Sequence, residues 1–333
     1  MRRLLPLTLF IPILAFTGVA SAGGTTLSLV AFSTPQTVMQ TLITNWQHTS
    51  AGKNVSFTQS YGGSSTQAQK IVNGLHADIA FLSNALDIYT LSNAGLVASN
   101  WTKTLPAGGM VANSVVAFVV RPGNPKHIHS WADLTKPGVQ VVTPDPFPSG
   151  GAKWNVLAAY GAMRAQGKSD TKAQAYVKAL FKNVVAQPSS ASNAMAAFLS
   201  GQGDVLITYE SEAYTAQLAN KPVSIVVPKQ TIQIQLPMVP LKTAPAKATT
   251  FIQYCHSSAA QKVFVQAGYR PVVSSVLKDP KLATWKARFS TKGYTILPIT
   301  SPYFGGWHKA YKTWFSPNGR MVKIEQAVGG PTS

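Results

Sequence analysis

Four stretches of this 333-residue sequence place small hydroxyl residues or glycines directly before apolar residues at helical spacing: STPQTVMQTLITNW, YGGSSTQAQKIV, PSGGAKWNVLAAYGAM and SSASNAMAAFL. The first turn of a helix has backbone N–H groups with no internal partner, and the aligned peptide dipoles leave partial positive charge there. A helix start can therefore hold an anion through uncharged donors. Taken singly, a glycine-serine turn is more often only a turn and a cap.

Groups suited to catalysis are few. The sequence holds no G-x-S-x-G elbow, no H-E-x-x-H and no G-x-x-x-x-G-K-[ST] loop. Glu210 and Glu212 in TYESEA stand two residues apart, so a helix does not turn them toward each other, and at a helix start they would complement the dipole. His127 and His129 in KHIHSW are read as solvated or capping groups. The expectation is that the chain is not an enzyme, with no catalytic residue, no metal and no cofactor.

Each helix start needs a strand to deliver it. TTLSLVAF runs into the first, where Thr34 is the expected cap, Pro35 the first helical residue, and Val38, Met39, Leu42, Ile43 and Trp46 one face. NVSFTQ alternates before YGGSS, with Ala68, Ile71, Val72 and Leu75 marking the helix face. The Val-rich GVQVV leads through a proline-bearing loop to SGGA, where Ser149 is the cap and Trp154, Leu157, Ala158 and Gly161 the face. The fourth turn, entered from VVAQP, puts Met195, Phe198 and Leu199 inward. Strands alternating with helices predict an α/β fold with a parallel or mostly parallel sheet, in which ligands sit beyond the carboxyl ends of the strands. The apolar run SVVAFVVRPGNP suits a long strand crossing between two lobes, and IQIQLPMVPLK is the candidate for the return. The expected division is residues 23–115 with 236–333 as one lobe and 116–235 as the other.

Lysine and arginine number 29 against 10 Asp and Glu, a formal net charge of +19. The basic residues are scattered singly, which disfavours a nucleic-acid surface, and the imbalance is mainly a shortage of acids. The opening MRRLLPLTLFIPILAFTGVASAGG has two arginines, an apolar run interrupted by Pro6 and Pro12, and small residues at Ala20, Ser21 and Ala22. That pattern predicts a signal peptide over residues 1–22, cleaved after Ala22, and a soluble periplasmic protein. Cys255, the lone cysteine, cannot form an internal disulfide, and its apolar and aromatic neighbours predict a buried, inert thiol.

Through several of these segments the sequence resembles the periplasmic sulfate-binding proteins, the solute-binding component of ABC-type sulfate and thiosulfate importers. The resemblance is carried by QSYGGSSTQA, by the long block VRPGNPKHIHSWADLTKPGVQVVTPDPFPSGGAKWNVLAAYGA, and by GQGDVLITYESEA, GYRPVV and FGGWHKAYKTWF. It implies a monomeric, two-lobed α/β binding protein of the periplasmic type II fold, which closes on a dehydrated oxyanion and hands it to a membrane permease. It also implies the donors. Ser33 would offer its backbone N–H, Ser64 its hydroxyl or N–H, and Ser149, Gly150 and Gly151 would donate from the SGGA turn. The sequence departs from the family at three of these places. Ser33 stands where the family has aspartate. SSASNA replaces an A-R-G-S-T turn, so that Ser190 or Ala191 supplies its N–H. Tyr209 replaces a tryptophan, and its hydroxyl reaches a different point from an indole N–H.

Donor counting separates the tetrahedral anions. Hydrogen phosphate carries a proton that needs an acceptor, and a site made only of donors leaves that proton unpaired. Asp145, four residues before Ser149, is the nearest carboxyl in sequence. The expectation is therefore sulfate or thiosulfate. Molybdate, tungstate or phosphate are the alternative oxyanions, and a secreted ester hydrolase with Ser64 or Ser149 as nucleophile is the more distant alternative.

Overall fold

The computed structural model describes residues 24–332, so the expected signal peptide, residues 1–22, lies outside the described residues. β1 (Thr25–Phe32) becomes wholly buried toward its end and gives way to α1 (Gln36–Gln47), whose inward face is Val38, Met39, Leu42, Ile43 and Trp46. Pro35, with no N–H to satisfy, is the cap rather than the first helical residue, and Thr34 Oγ1 makes no capping bond. β2 (Val55–Gly62) leads to α2 (Ser64–Val72), which is shorter than the apolar spacing predicts. Gly74, at a φ of 100°, takes the chain out of the helix, and Leu75 lies exposed beyond it. β3 (Ile79–Phe81), α3 (Ala85–Asn93) and the short α4 (Trp101–Thr104) complete the first half.

β4 (Met110–Val120) then crosses the molecule. Beyond it come β5 (Val141–Val142), α5 (Gly150–Ala165), α6 (Asp170–Lys182), β6 (Val184–Ala186), α7 (Ala191–Leu199), β7 (Val205–Tyr209), α8 (Glu210–Leu218) and β8 (Ser224–Val226), before β9 (Gln230–Pro240) crosses back. α9 (Ala246–Cys255), α10 (Ser258–Gln266), α11 (Ala283–Arg288), β10 (Thr295–Leu297), α12 (Trp307–Ala310) and α13 (Arg320–Val328) follow.

The strands run in the order β2-β1-β3-β9-β4-β7-β5-β6, with β10 against β9 and β8 against β4. β2, β1 and β3 are parallel, and so are β6, β5 and β7. The joins through β4 and β9 are antiparallel. The sheet is thus mixed rather than mostly parallel, because the chain passes between the halves as extended strand and not through a helix. β4 pairs with β9 up to Val115 and with β7 from Val116, while β9 pairs with β4 up to Pro237 and with β3 from Met238.

The C-terminal elements, which the expected division puts with the first half as residues 236–333, contact both halves. Beyond β10 the chain reaches both halves: the His308 ring stacks on Tyr89 of α3 at 4.8 Å, while on α5 and α6 the Trp307 and Trp154 rings meet at 4.5 Å, Trp314 and Tyr160 at 4.9 Å, and the Arg320 guanidinium forks onto Asp170 at 2.8 and 2.9 Å. Gly161 makes the room. A Cβ there would fall 2.5 Å from Phe304 Cζ and 2.9 Å from Leu297 Cδ1, so the missing side chain is the notch that this segment fills. Gly161→Leu is expected to destabilise the protein by about 1–3 kcal/mol through overpacking, read as a lower urea midpoint. An unchanged midpoint would show that the segment packs elsewhere in solution.

Candidate functional site

Six strand ends deliver the turns to one place. Ser33 follows β1, Ser64 follows β2, Ser83 and Asn84 follow β3, Ser149 and Ser190 stand in the loops after β5 and β6, and Tyr209 closes β7. Bonds between the two halves join them. Ser192 N donates to Ser33 Oγ at 3.2 Å, Ser65 N to the Pro148 carbonyl at 3.1 Å, and Tyr209 OH to Ser83 Oγ at 2.9 Å. A Cβ on Gly63 would lie 2.7 Å from the carbonyl oxygens of both Pro148 and Ser189, so only glycine admits this approach.

The serines before α5 and α7 act as caps. Ser149 Oγ accepts from Ala152 N at 3.3 Å, and Ser190 Oγ from Asn193 N at 3.2 Å. Gly150 and Gly151 therefore form the first turn of α5, while Ala191 opens α7 with Ser190 extended outside it. Ser64 opens α2 behind Gly63. Among the described residues, no protein acceptor reaches the N–H groups of Ser64, Gly150, Gly151 or Ala191. Such an arrangement can gather an anion through neutral donors, with the helix ends spreading the countercharge.

A buried polar network stands behind Ser64. Its hydroxyl donates to Asp87 Oδ2 at 2.5 Å and accepts from Ser83 N at 2.9 Å. Asp87 also accepts from Ser65 Oγ at 2.8 Å and Asn84 Nδ2 at 3.1 Å. Lys153 Nζ donates to Ser65 Oγ at 2.8 Å and to the Phe147 carbonyl at 2.9 Å. Burial holds this ammonium below its usual pKa range, against the pull of Asp87 and Asp145. Of the two donors expected at Ser64, the hydroxyl is thus committed to Asp87, which leaves the backbone N–H.

Tyr209 is buried at the end of β7, and burial pushes its phenol well above the usual value, so it remains a donor. It reaches Ser83 Oγ, a residue that sequence reasoning missed together with Asn84 and Asp87. The local signal was available: in LSNALD, Asn84 Oδ1 accepts from Asp87 N at 3.0 Å, an Asn cap with an acid three residues on. That signal marks only a helix start. Asp145, the carboxyl nearest the SGGA turn in sequence, braces its own loop by accepting from Phe147 N at 2.9 Å. The two acids of TYESEA have separate partners: Glu210 takes a fork from Arg270 at 2.7 and 3.0 Å, and Glu212 accepts from Thr208. Cys255 is buried, and burial raises its thiol pKa.

Two buried carboxyls set a pH signature. Burial pushes Glu212 up to about 7, and burial with the nearby Asp145 pushes Glu325 up to about 8. Glu325 accepts from Gln187 Nε2 at 3.1 Å, just before the Ser190 turn. Both groups hold a proton more tightly folded than unfolded. Their contribution to stability is complete below the ordinary glutamate value of 4.5 and is lost as pH rises through about 7 and 8. Stability is expected to fall between about pH 5 and pH 8, by on the order of 1 kcal/mol or more per group, read as a lower melting temperature. Glu212→Gln combined with Glu325→Gln should flatten that part of the profile, and a native profile that climbs over the same window would contradict the assignment.

Known proteins share both the sequence and the fold. The profile of the family described as bacterial extracellular solute-binding protein matches residues 27–270. The sulfate-binding protein of Salmonella typhimurium is 39% identical over 285 residues, covering 83% of this chain and 84% of that protein. That of Synechococcus elongatus is 34% identical over 331 residues, covering 93% and 91%. Among solved structures, the sulfate-binding protein SubI from Mycobacterium tuberculosis H37Rv matches with a TM-score of 0.81 at 36% identity, covering 86% of this chain and 98% of that one. The chain belongs to the bacterial extracellular solute-binding proteins, in the family of the sulfate-binding proteins.

Proposed function

We propose that this protein captures sulfate, or its analogue thiosulfate, in the periplasm and delivers it to the membrane permease of an ABC-type importer. The observation that carries the reading is the set of bare first-turn N–H groups at Ser64, Gly150, Gly151 and Ala191, with the Lys153 ammonium turned instead to Ser65 and Phe147. Sulfate at neutral pH has four acceptor oxygens and no proton, so it satisfies every donor and asks for no acceptor. Each charge-assisted bond contributes roughly 1.5–3 kcal/mol, and several together offset the loss of hydration. Ser33 adds its N–H and Ser149 its hydroxyl hydrogen to the set. The two halves act as lobes, hinged where β4 and β9 change partners, and the protein works as a monomer after removal of residues 1–22. It catalyses no reaction.

Titration calorimetry in low-phosphate buffer tests this directly. Sulfate is expected to bind one to one, and phosphate at equal concentration and pH 7 to leave that binding unchanged. A Cβ at Gly151 would stand 2.8 Å from Tyr209 Cε2. Gly151→Val is therefore expected to weaken sulfate binding by about tenfold or more, the equivalent of one lost charge-assisted bond, with the fold intact. Absence of heat with both sulfate and thiosulfate would sink the reading, and ready displacement by phosphate would mean that a carboxyl such as Asp145 or Asp87 reaches the ligand.

A further inference from the structure

Ser83 and Tyr209 hold one hydrogen more than they use. Both are buried, at 0% and 2% exposure, and one hydrogen bond of 2.9 Å joins their hydroxyls. Two hydroxyls carry two hydrogens, and a single bond between them engages one. Among the described residues, no other group accepts from either oxygen. A donor left unpaired in a buried site is destabilising, because its desolvation is not offset.

Acidity decides which hydrogen is spare. A phenol, titrating near 10 even in water, is a stronger donor than an aliphatic alcohol, and burial keeps this one protonated. Tyr209 therefore gives its hydrogen to Ser83, and the Ser83 hydrogen faces onward. Position agrees with this. Ser83 Oγ stands 2.5 Å from where a Cβ on Gly150 would lie, and Tyr209 OH 2.9 Å from where one on Gly151 would lie, so the pair borders the glycines of the SGGA turn. Ser83 is held there by its backbone: its N–H goes to Ser64 Oγ at 2.9 Å, and its carbonyl takes the Trp154 indole N–H at 2.8 Å. Ser64 cannot fill the same role, since its own hydroxyl hydrogen lies against Asp87.

We propose that the Ser83 hydroxyl is a ligand-contacting donor of the anion site and favours fully deprotonated tetrahedral oxyanions, with Tyr209 as the positioning residue that aims it. The inference rests on the sulfate-binding reading. Ser83 follows β3 and Tyr209 closes β7, so the donor is aimed only when the two halves meet.

Four proteins test it: the native chain, Ser83→Ala, Tyr209→Phe and the double variant, each titrated with sodium sulfate and melted with and without it. Ser83→Ala is expected to weaken sulfate binding about tenfold or more, the loss of one charge-assisted bond. Tyr209→Phe leaves the serine hydrogen but not its aim, and costs about threefold. In the double variant the loss equals that of Ser83→Ala alone, a coupling that a merely structural tyrosine would not show. Without sulfate, both single variants melt within about 2 °C of the native protein. Sulfate binding by Ser83→Ala within about twofold of native overturns the proposal while leaving the sulfate reading intact. So does a larger loss in Tyr209→Phe than in Ser83→Ala, which makes the phenol the contacting donor. A native chain that binds no sulfate removes both the reading and the inference.

Discussion

Three glycines let the two halves meet closely, Gly63 against backbone and Gly150 and Gly151 against side chains, and the arrangement of the helix starts depends on that approach. Gly63 runs beneath the carbonyls of Pro148 and Ser189, Gly150 against Ser83 and Asn84, and Gly151 against the Tyr209 ring. None of the three is in the left-handed region of φ, so what each position demands is space and not conformational freedom. A methyl group at any of them would hold the helix starts apart.

With the donors converging, the remaining problem is charge. A buried anion surrounded by cations would gain attraction at the expense of desolvating every partner. Here the nearby ionisable groups are engaged with one another: Asp87 gathers Ser64, Ser65 and Asn84, and Lys153 is joined to it through Ser65. The network orients Ser64 and Ser83 without placing a free charge in the turns. A similar economy holds at the start of α8, where Glu210 is fully buried but forked by Arg270. Removing either partner would strand a buried charge.

The sheet explains how turns so far apart in sequence come to face each other. Each half carries three parallel strands whose carboxyl ends point at the seam, and β4 and β9 stitch the halves by changing partners midway along their length. The C-terminal segment then clamps α5, whose first turn supplies Gly150 and Gly151, by filling the Gly161 notch with Phe304 and stacking Trp307 edge-on against Trp154. Trp154 in turn donates to the Ser83 carbonyl. The site is therefore braced from outside as well as by its own turns.

Much of the local structure was written in short-range pattern. The five inward residues of α1, the cap Ser149, and the strand before each turn follow from side-chain periodicity and from the needs of unpaired N–H groups, which involve neighbours within about a turn or two of the chain. Small local competitions went the other way, as when Pro35 became a cap and Gly74 ended α2 before Leu75. The partner of Tyr209, the diversion of the Ser64 hydroxyl to Asp87, the mixed sheet and the docking of the last helices on α5 and α6 had no comparable local signature. Each depends on groups that lie apart along the chain, Ser64 and Asp87 by 23 residues within one half and Tyr209 and Ser83 by 126 across the two. The sequence by itself marked the helix starts after the four turns; which of them would face one another was decided by tertiary packing, because a hydrogen bond is set by distance in space and not along the chain.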